Sequence, residues 1–411
     1  LNKPSRLADH CELITKGTTP TTLGFDFVES GVPFLRVQNI DGGRVNYTTD
    51  TLFIDEKTHR ALDRSNIRRG DILVSIAGTI GRAAVVPDDA PPLNCNQAVA
   101  IVRTRETVFR PFIRYWLESP GAQRQMRGAT VTGTISNLSL TQLGNLKLQL
   151  PPIREQKRVS EILDQAHALR AKRRAALVKL DSLAQSIFIE MFGDPVTNTK
   201  RWPDNKSLGQ VSEIVSGITK GRKLHRTKTR PVPYLAVINV QDRRLNLSVV
   251  KTIEASDEEI NRYRLKLGDL LLTEGGDPDK LGRGTLWNDE MPECIHQNHI
   301  FRVRITDECL HPIYLNWLVG SERGKRYFLR SAKQTTGIAS INMRQLRAFP
   351  LLVPPIDLQY RFAKRLAAVD ELRISCRASL EKLDNLFSSL QGRAFESEVF
   401  RPPDSSLAAA E

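Results

Sequence analysis

Val32-Pro33-Phe34-Leu35-Arg36-Val37-Gln38-Asn39 returns two hundred residues later as Val232-Pro233-Tyr234-Leu235-Ala236-Val237-Ile238-Asn239. Outward from that octet the correspondence continues in order. Gly70-Asp71-Ile72-Leu73 matches Gly268-Asp269-Leu270-Leu271, and Gly81-Arg82 matches Gly282-Arg283. Ala98 to Arg103 lies over His299 to Arg304, Thr132-Gly133 over Thr336-Gly337, and Pro151-Pro152-Ile153 over Pro354-Pro355-Ile356. The offset drifts only from 198 to 204, so insertions and deletions are small and belong in loops. Self-similarity of this kind means two copies of one module. The framework is kept while most other residues differ, as expected of two similar modules with different ligands.

Each copy opens with a mixed segment of about 150 residues, Leu7–Leu150 and Leu208–Val353. Short apolar runs such as Asp71–Ile76 and Ala98–Val102 are separated by Gly, Pro, Asn and Thr, the pattern of short strands. Pro111–Glu118 and Pro312–Val319 read as matched helices with proline near the start. Each copy closes with a long helical stretch, Pro152–Met191 and Pro355–Phe395. Spacing alternately by three and four from 159 selects Val159, Ile162, Ala166, Leu169, Arg173, Ala176, Leu180, Leu183 and Ile187. The same positions 203 residues on are Phe362, Arg365, Val369, Leu372, Cys376, Ser379, Leu383, Leu386 and Leu390. That is a coiled-coil pattern. Each seam spans about 42 Å at 1.5 Å per residue, long for a globular core helix. Pairing of the two helices is the economical way to cover both stripes, and an antiparallel pair suits a pseudo-twofold repeat. Two ordinary amphipathic core helices are the alternative.

The predicted fold class is mixed α/β (α+β). The boundaries are a first globular domain over 1–150, a helical spacer over 151–193, a second domain over 194–353, a second spacer over 354–397 and a flexible tail over 398–411.

The 411 residues carry 60 Lys and Arg against 46 Asp and Glu, a net charge of +14. Such a surplus favours a polyanion, usually nucleic acid. No stretch approaches the roughly 18 consecutive apolar residues of a membrane helix, and Leu1 to His10 holds no apolar signal core. Cys11, Cys95, Cys294, Cys309 and Cys376 are odd in number, scattered and free of any C-x-x-C. This fits a reducing compartment, and a cytoplasmic, non-membrane protein is expected.

Little in the chain points to catalysis. The Pro-Pro pairs at 91–92, 151–152, 354–355 and 402–403 lack the Asn or Asp before and the aromatic after that an adenine methyltransferase requires. No Walker loop or helicase motif occurs. Glu155-x-Lys157 lies within the first long helix, far from any Pro-Asp. Cys294, His296, His299, Cys309 and His311 form a cluster that zinc would favour, but their spacing is unlike that of zinc modules, and Cys95–Arg103 in the first copy has no histidine. No catalytic residue, metal or cofactor is assigned.

Candidate DNA contacts fall in paired loops, where Lys and Arg neutralise phosphates and polar side chains reach base edges. The first pair is Lys16, Thr18 and Thr19 with Lys220, Arg222, Lys223, Arg226 and Lys228. The second is Thr79 and Arg82 with Arg283, and the third Arg127, Thr132 and Thr134 with Lys333, Thr335 and Thr336. Arg36, Asn39 and Asn239 are added from the repeated octet. A solvated loop, a strand-connecting turn or a helix cap is the bland reading of each.

The doubled order of domain and helix resembles the specificity subunit of type I restriction-modification systems. Gly70-Asp71-Ile72-Leu73-Val74-Ser75 with Gly78-Thr79-Ile80-Gly81-Arg82 looks like that family's target-recognition domain. So do Asn96-Gln97 and the Leu146-to-Gln156 stretch ending in Pro-Pro-Ile-x-x-Gln, repeated more loosely as Leu351 to Gln359. The resemblance covers about residues 7–397. It implies that each domain reads one half of a bipartite asymmetric site in double-stranded DNA. It implies helices that act as a ruler, roughly 12 base pairs for a 42 Å seam at about 3.4 Å per pair. It also implies two methylation subunits and motor-nuclease restriction subunits as partners, with S-adenosylmethionine, ATP and magnesium on those partners. The competing expectations are an adaptor that binds no DNA and a free-standing endonuclease.

Overall fold

The computed structural model describes residues 3–129, 137–222, 228–277, 281–335 and 338–395, with backbone only at 333–335 and 338. The tail expected over 398–411 lies outside the described residues. The chain divides into two compact units, one of residues 1–175 with 377–411, the other of residues 176–376.

The first unit is built on a four-stranded antiparallel sheet. Its strands are β1 (Cys11–Lys16), β2 (Ile72–Ser75), β3 (Ala83–Val85) and β4 (Val99–Thr104), in the order β1-β4-β2-β3. β2 is buried on both faces, hence its unbroken apolar run. One face packs on the helix α1 (Arg110–Leu117) through Ile72, Val74, Phe112 and Trp116. The other packs through Leu73, Ile101 and Val99 on a smaller sheet and hairpin. In the smaller sheet Val32–Leu35 pairs antiparallel with Leu52–Ile54 and parallel with Asn94–Cys95. The long helix α2 (Ile153–Phe192) follows.

The second unit repeats both of these sheets. β5 (Ser212–Ser216), β6 (Leu270–Thr273), β7 (Gly284–Leu286) and β8 (Ile300–Ile305) run in the order β5-β8-β6-β7. Arg230–Leu235 pairs antiparallel with Lys251–Ala255 and parallel with Ile295–His296. α3 (Pro312–Val319) matches α1, and α4 (Ile356–Phe395) matches α2.

Two repeated motifs turn out to be structural. Gly70 and Gly268 sit at φ +78° and +85°, a left-handed turn that suits glycine. The following Asp71 accepts the Arg68 amide at 2.7 Å and grips Arg103 through both carboxylate oxygens, at 2.8 and 2.7 Å. Asp269 does the same with the Lys266 amide and Arg304. Both aspartates are buried, where an ionised carboxylate needs such pairing. At the start of each long helix the glutamine of Pro-Pro-Ile-x-x-Gln is buried as well. Gln156 accepts from the Phe109 amide and donates to the Pro151 carbonyl. Gln359 accepts from the His311 amide and donates to the Cys309 and Pro354 carbonyls. Each ties its helix to the turn that begins α1 or α3.

α2 and α4 pair antiparallel. Arg170 bonds Asp384, Asp181 bonds Arg373 and Glu190 bonds Arg365, so position falls on one helix as it rises on the other. The seam differs from the predicted one at every second position. Val159, Leu180, Ile187, Phe362, Val369, Leu383 and Leu390 are buried or half-buried as part of it. Ile162, Leu169, Leu183, Leu372 and Leu386 instead stand 43–59% exposed. Their places are taken one residue later by Leu163, Arg170, Ala184, Arg373 and Phe387. The correct steps from 159 are four then three. That phase also replaces Arg365 by Leu366 and Ser379 by Leu380, while Arg170 and Arg373, each paired with an aspartate, replace Leu169 and Leu372.

Candidate nucleic-acid interface

In each unit the paired loops converge on one end of the four-stranded sheet. β1 ends at Lys16 and β2 at Ser75, where β4 and β3 begin, so the loops 16–20, 76–82 and 95–98 share that end. Backbone hydrogen bonds lace them together. The Thr18 amide donates to the Cys95 carbonyl at 3.1 Å, and Ile76 to Ala98 at 2.9 Å. Leu138 donates to Ile76 at 2.9 Å, which brings in the end of the third loop. Asn96 donates to Leu35 at 3.1 Å, which brings in the turn within the repeated octet. The second unit has the same bonds: Ile218 to His296 at 2.8 Å, Glu274 to His299 at 3.0 Å, Ile341 to Glu274 at 2.9 Å, and Gln297 to Leu235 at 3.0 Å. Gly17 and Gly217 allow the first loop to cross this close, since a Cβ there would lie 2.0 Å or less from the Cys95 and His296 carbonyl oxygens.

The predicted residues fare differently. Lys16, Thr79 and Lys220 are exposed at this end, and Thr18 is half-buried there. The Thr19 hydroxyl bonds Gln97, an exposed side chain of the same end that sequence reasoning noted but did not count as a contact. Arg82 reaches back to the Ile40 carbonyl at 3.3 Å and the Asp41 carboxylate at 3.7 Å. Arg283 bonds Gln241 at 3.3 Å, so each arginine braces a neighbouring hairpin. Arg36 bonds the Asp50 carbonyl at 3.1 Å. Arg127 is exposed on the helix Pro120–Ala129.

Four predicted contacts require correction. Asn39 and Asn239 are buried and shape their own turns. The Asn39 amide oxygen accepts from the Arg36 backbone, and that of Asn239 from Ala236, both at 2.8 Å. The Asn239 amide nitrogen donates to the Asn246 and Val249 carbonyls. A short buried amide satisfied this way has no group left for a ligand. Arg222 is bound twice to Glu259, at 2.6 and 2.7 Å, and to the Glu254 carbonyl at 2.8 Å. These bonds hold the Glu259 carboxyl below the usual range and pin the loop down. Lys228 is exposed, but two residues before Arg230–Leu235, away from the end where Leu235 meets Gln297. Lys223, Arg226, Thr132, Thr134 and Thr336 lie outside the described residues, as do the side chains of Lys333 and Thr335.

The histidines and cysteines weighed for zinc serve separate structural ends. His296 is buried and its Nδ1 donates to the Ile300 carbonyl at 2.9 Å. His311 Nδ1 accepts the Ile313 amide at the start of α3. His299 Nδ1 meets Glu274 Oε2 at 2.7 Å on the converging loops. That pair was missed as a functional candidate, although the repeat had set His299 opposite Ala98. Among the described residues no group of three or more His, Cys, Asp or Glu is placed to hold a metal ion.

Two matched α/β units, each presenting loops at one sheet end and each holding antiparallel segments of both long helices, define a duplicated architecture. Comparison with known proteins shows what it is similar to. Residues 2–178 match the family described as type I restriction modification DNA specificity domain. The chain is 22% identical over 388 residues to the type I restriction enzyme EcoKI specificity subunit of Escherichia coli K12, covering 90% of this chain and 82% of that one. It is 20% identical over 389 residues, with the same coverage, to the StySPI specificity subunit of Salmonella potsdam. The crystal structure of a type I restriction-modification S subunit from M. genitalium shares the fold, with a TM-score of 0.54 at 13% identity over 96% of this chain and 97% of that one. The match to the specificity domain thus covers residues 2–178, and over 90% of its length the chain is similar to type I restriction specificity subunits.

Proposed function

We propose that this chain is the sequence-reading subunit of a type I restriction-modification complex, each domain reading one half of a bipartite asymmetric site in double-stranded DNA. One observation carries it: two copies of a framework with matched backbone bonds present different side chains at the same sheet end. A scaffold without ligands has no need to keep the frame and vary that end, and the net charge of +14 suits a polyanion. Lys16, Lys220 and the backbone amides of the loops meet phosphates, and Thr18, Thr19, Gln97 and Thr79 face base edges. The globular parts 1–150 and 194–353 are the recognition domains, and the helices 151–193 and 354–397 fix the gap between half-sites.

Two methylation subunits dock on the helices, and restriction subunits join through them. S-adenosylmethionine, ATP and magnesium act on those partners, and the chain itself catalyses nothing. Such a complex works on DNA in the cytoplasm. Among the described residues no helix is long and apolar enough to cross a membrane. The test is single-molecule methylation mapping of the host genome with and without this gene. Loss of one bipartite adenine-methylated motif on deletion is expected. An unchanged methylome in a host that expresses the methylation subunits would overturn the assignment.

A further inference from the structure

The two domains share one backbone junction but fill it with different chemistry. In the first, the bonds of Ile76 to Ala98 and Leu138 to Ile76 join three loops at the sheet end. In the second, Glu274 and His299 occupy the places of Ile76 and Ala98, with the corresponding bonds of Glu274 to His299 and Ile341 to Glu274. Ile76 is 2% exposed and Ala98 offers only a methyl group. The Glu274 carboxylate and His299 imidazole lie 2.7 Å apart with side chains 34% and 56% exposed. The junction therefore folds without an ionisable pair, and the second domain carries one where its loops converge.

A carboxylate there repels phosphates. It becomes favourable only where it accepts a hydrogen bond from an amine on a base edge, and in the major groove the partner of Glu is cytosine N4. His299 donates to Oε2 and fixes the carboxylate, leaving Oε1 to accept. Gly275 and Gly276 follow directly and add no side chain beside it. We propose that Glu274, positioned by His299, selects cytosine at one position of the half-site read by the second domain. This rests on the sequence-reading function proposed above.

The experiment maps methylation in cells that carry the complete system with wild-type chain, with Glu274→Gln, or with Glu274→Ile and His299→Ala together. The double variant installs the first domain's own residues. The wild type should give a bipartite motif with cytosine at the affected position. Glutamine pairs with adenine N6 and N7, so Glu274→Gln should admit adenine there and lower the preference for cytosine by ~10- to 100-fold, the size of one base-pair mismatch. The double variant should lose the cytosine preference. In both, the other half-site and the gap stay unchanged. An unchanged motif in both variants overturns the assignment, as does loss of all methylation in both, whether or not the chain still melts cooperatively. Absence of any bipartite motif in the wild type overturns the sequence-reading function itself, and the two failures are thereby told apart.

Discussion

Acidification acts on the second domain through His296. The ring is fully buried beside the parallel strand pair, and its Nδ1 donates to the Ile300 carbonyl. Its Nε2 is buried with no partner among the described residues, and Arg302 and Arg304 stand on the adjoining strand β8. Burial first, then these two cations, push its pKa down from 6.5 to about 4. The unfolded chain therefore binds the extra proton between those values. Stability is full above pH 6.5 and falls as pH drops toward 4, by up to about 1.4 kcal/mol per pH unit and about 3 kcal/mol in all. That is a large part of a domain's ~5–15 kcal/mol. The control comes from the repeat: Leu35 pairs with Asn94-Cys95 as Leu235 pairs with Ile295-His296, so Cys95 is the first domain's residue at this place. Urea unfolding of the full chain, followed by tryptophan fluorescence from pH 5 to 8, should show the wild type losing about 2 kcal/mol more than His296→Cys over that span. A constant offset between them reflects packing and is irrelevant. Parallel pH curves would refute a buried neutral histidine.

Three further outcomes are expected. Gln359→Leu strands the half-buried His311 amide and two carbonyls and should cost about 3 kcal/mol in urea unfolding, whereas a loss within about 0.5 kcal/mol would show that the glutamine is not a clamp. Leu163→Ala should cost about 2–4 kcal/mol and Ile162→Ala under about 1 kcal/mol, and the reverse order would restore the seam as first read. Lys16→Ala and Lys220→Ala should each lower the salt dependence of DNA binding by about one released counterion while leaving the preferred sequence unchanged. An unaltered slope would remove that lysine from the interface.

Much of the fold was legible because duplication prints every framework element twice. The octet, the Gly-Asp turn and the Pro-Pro-Ile-x-x-Gln start recur because each closes a buried hydrogen-bond set that has few substitutes. Asn39 and Asn239 show the limit. Recurrence marked them as special, but it marks a buried turn amide as readily as a ligand contact, and only burial separates the two. The seam phase failed for a different reason. Ile162, Leu183 and Leu386 are about as apolar as Leu163, Ala184 and Phe387, and Leu169 and Leu372 are more apolar than Arg170 and Arg373, so apolar character alone did not select the observed phase. Arg365 and Ser379 counted against one phase and Arg170 and Arg373 against the other, and the latter two are accommodated by ion pairs with Asp384 and Asp181.

The residues proposed to read bases were least legible, and the same physics explains it. A framework position has one good answer, so two copies agree. A reading position has as many answers as there are half-sites, so two copies differ there by design. Glu274 against Ile76, and His299 against Ala98, are conspicuous only after matched hydrogen bonds show that the backbone beneath them is the same. In a duplicated reader, disagreement between copies at an agreed backbone position is therefore the sharper pointer to function, and agreement the sharper pointer to fold.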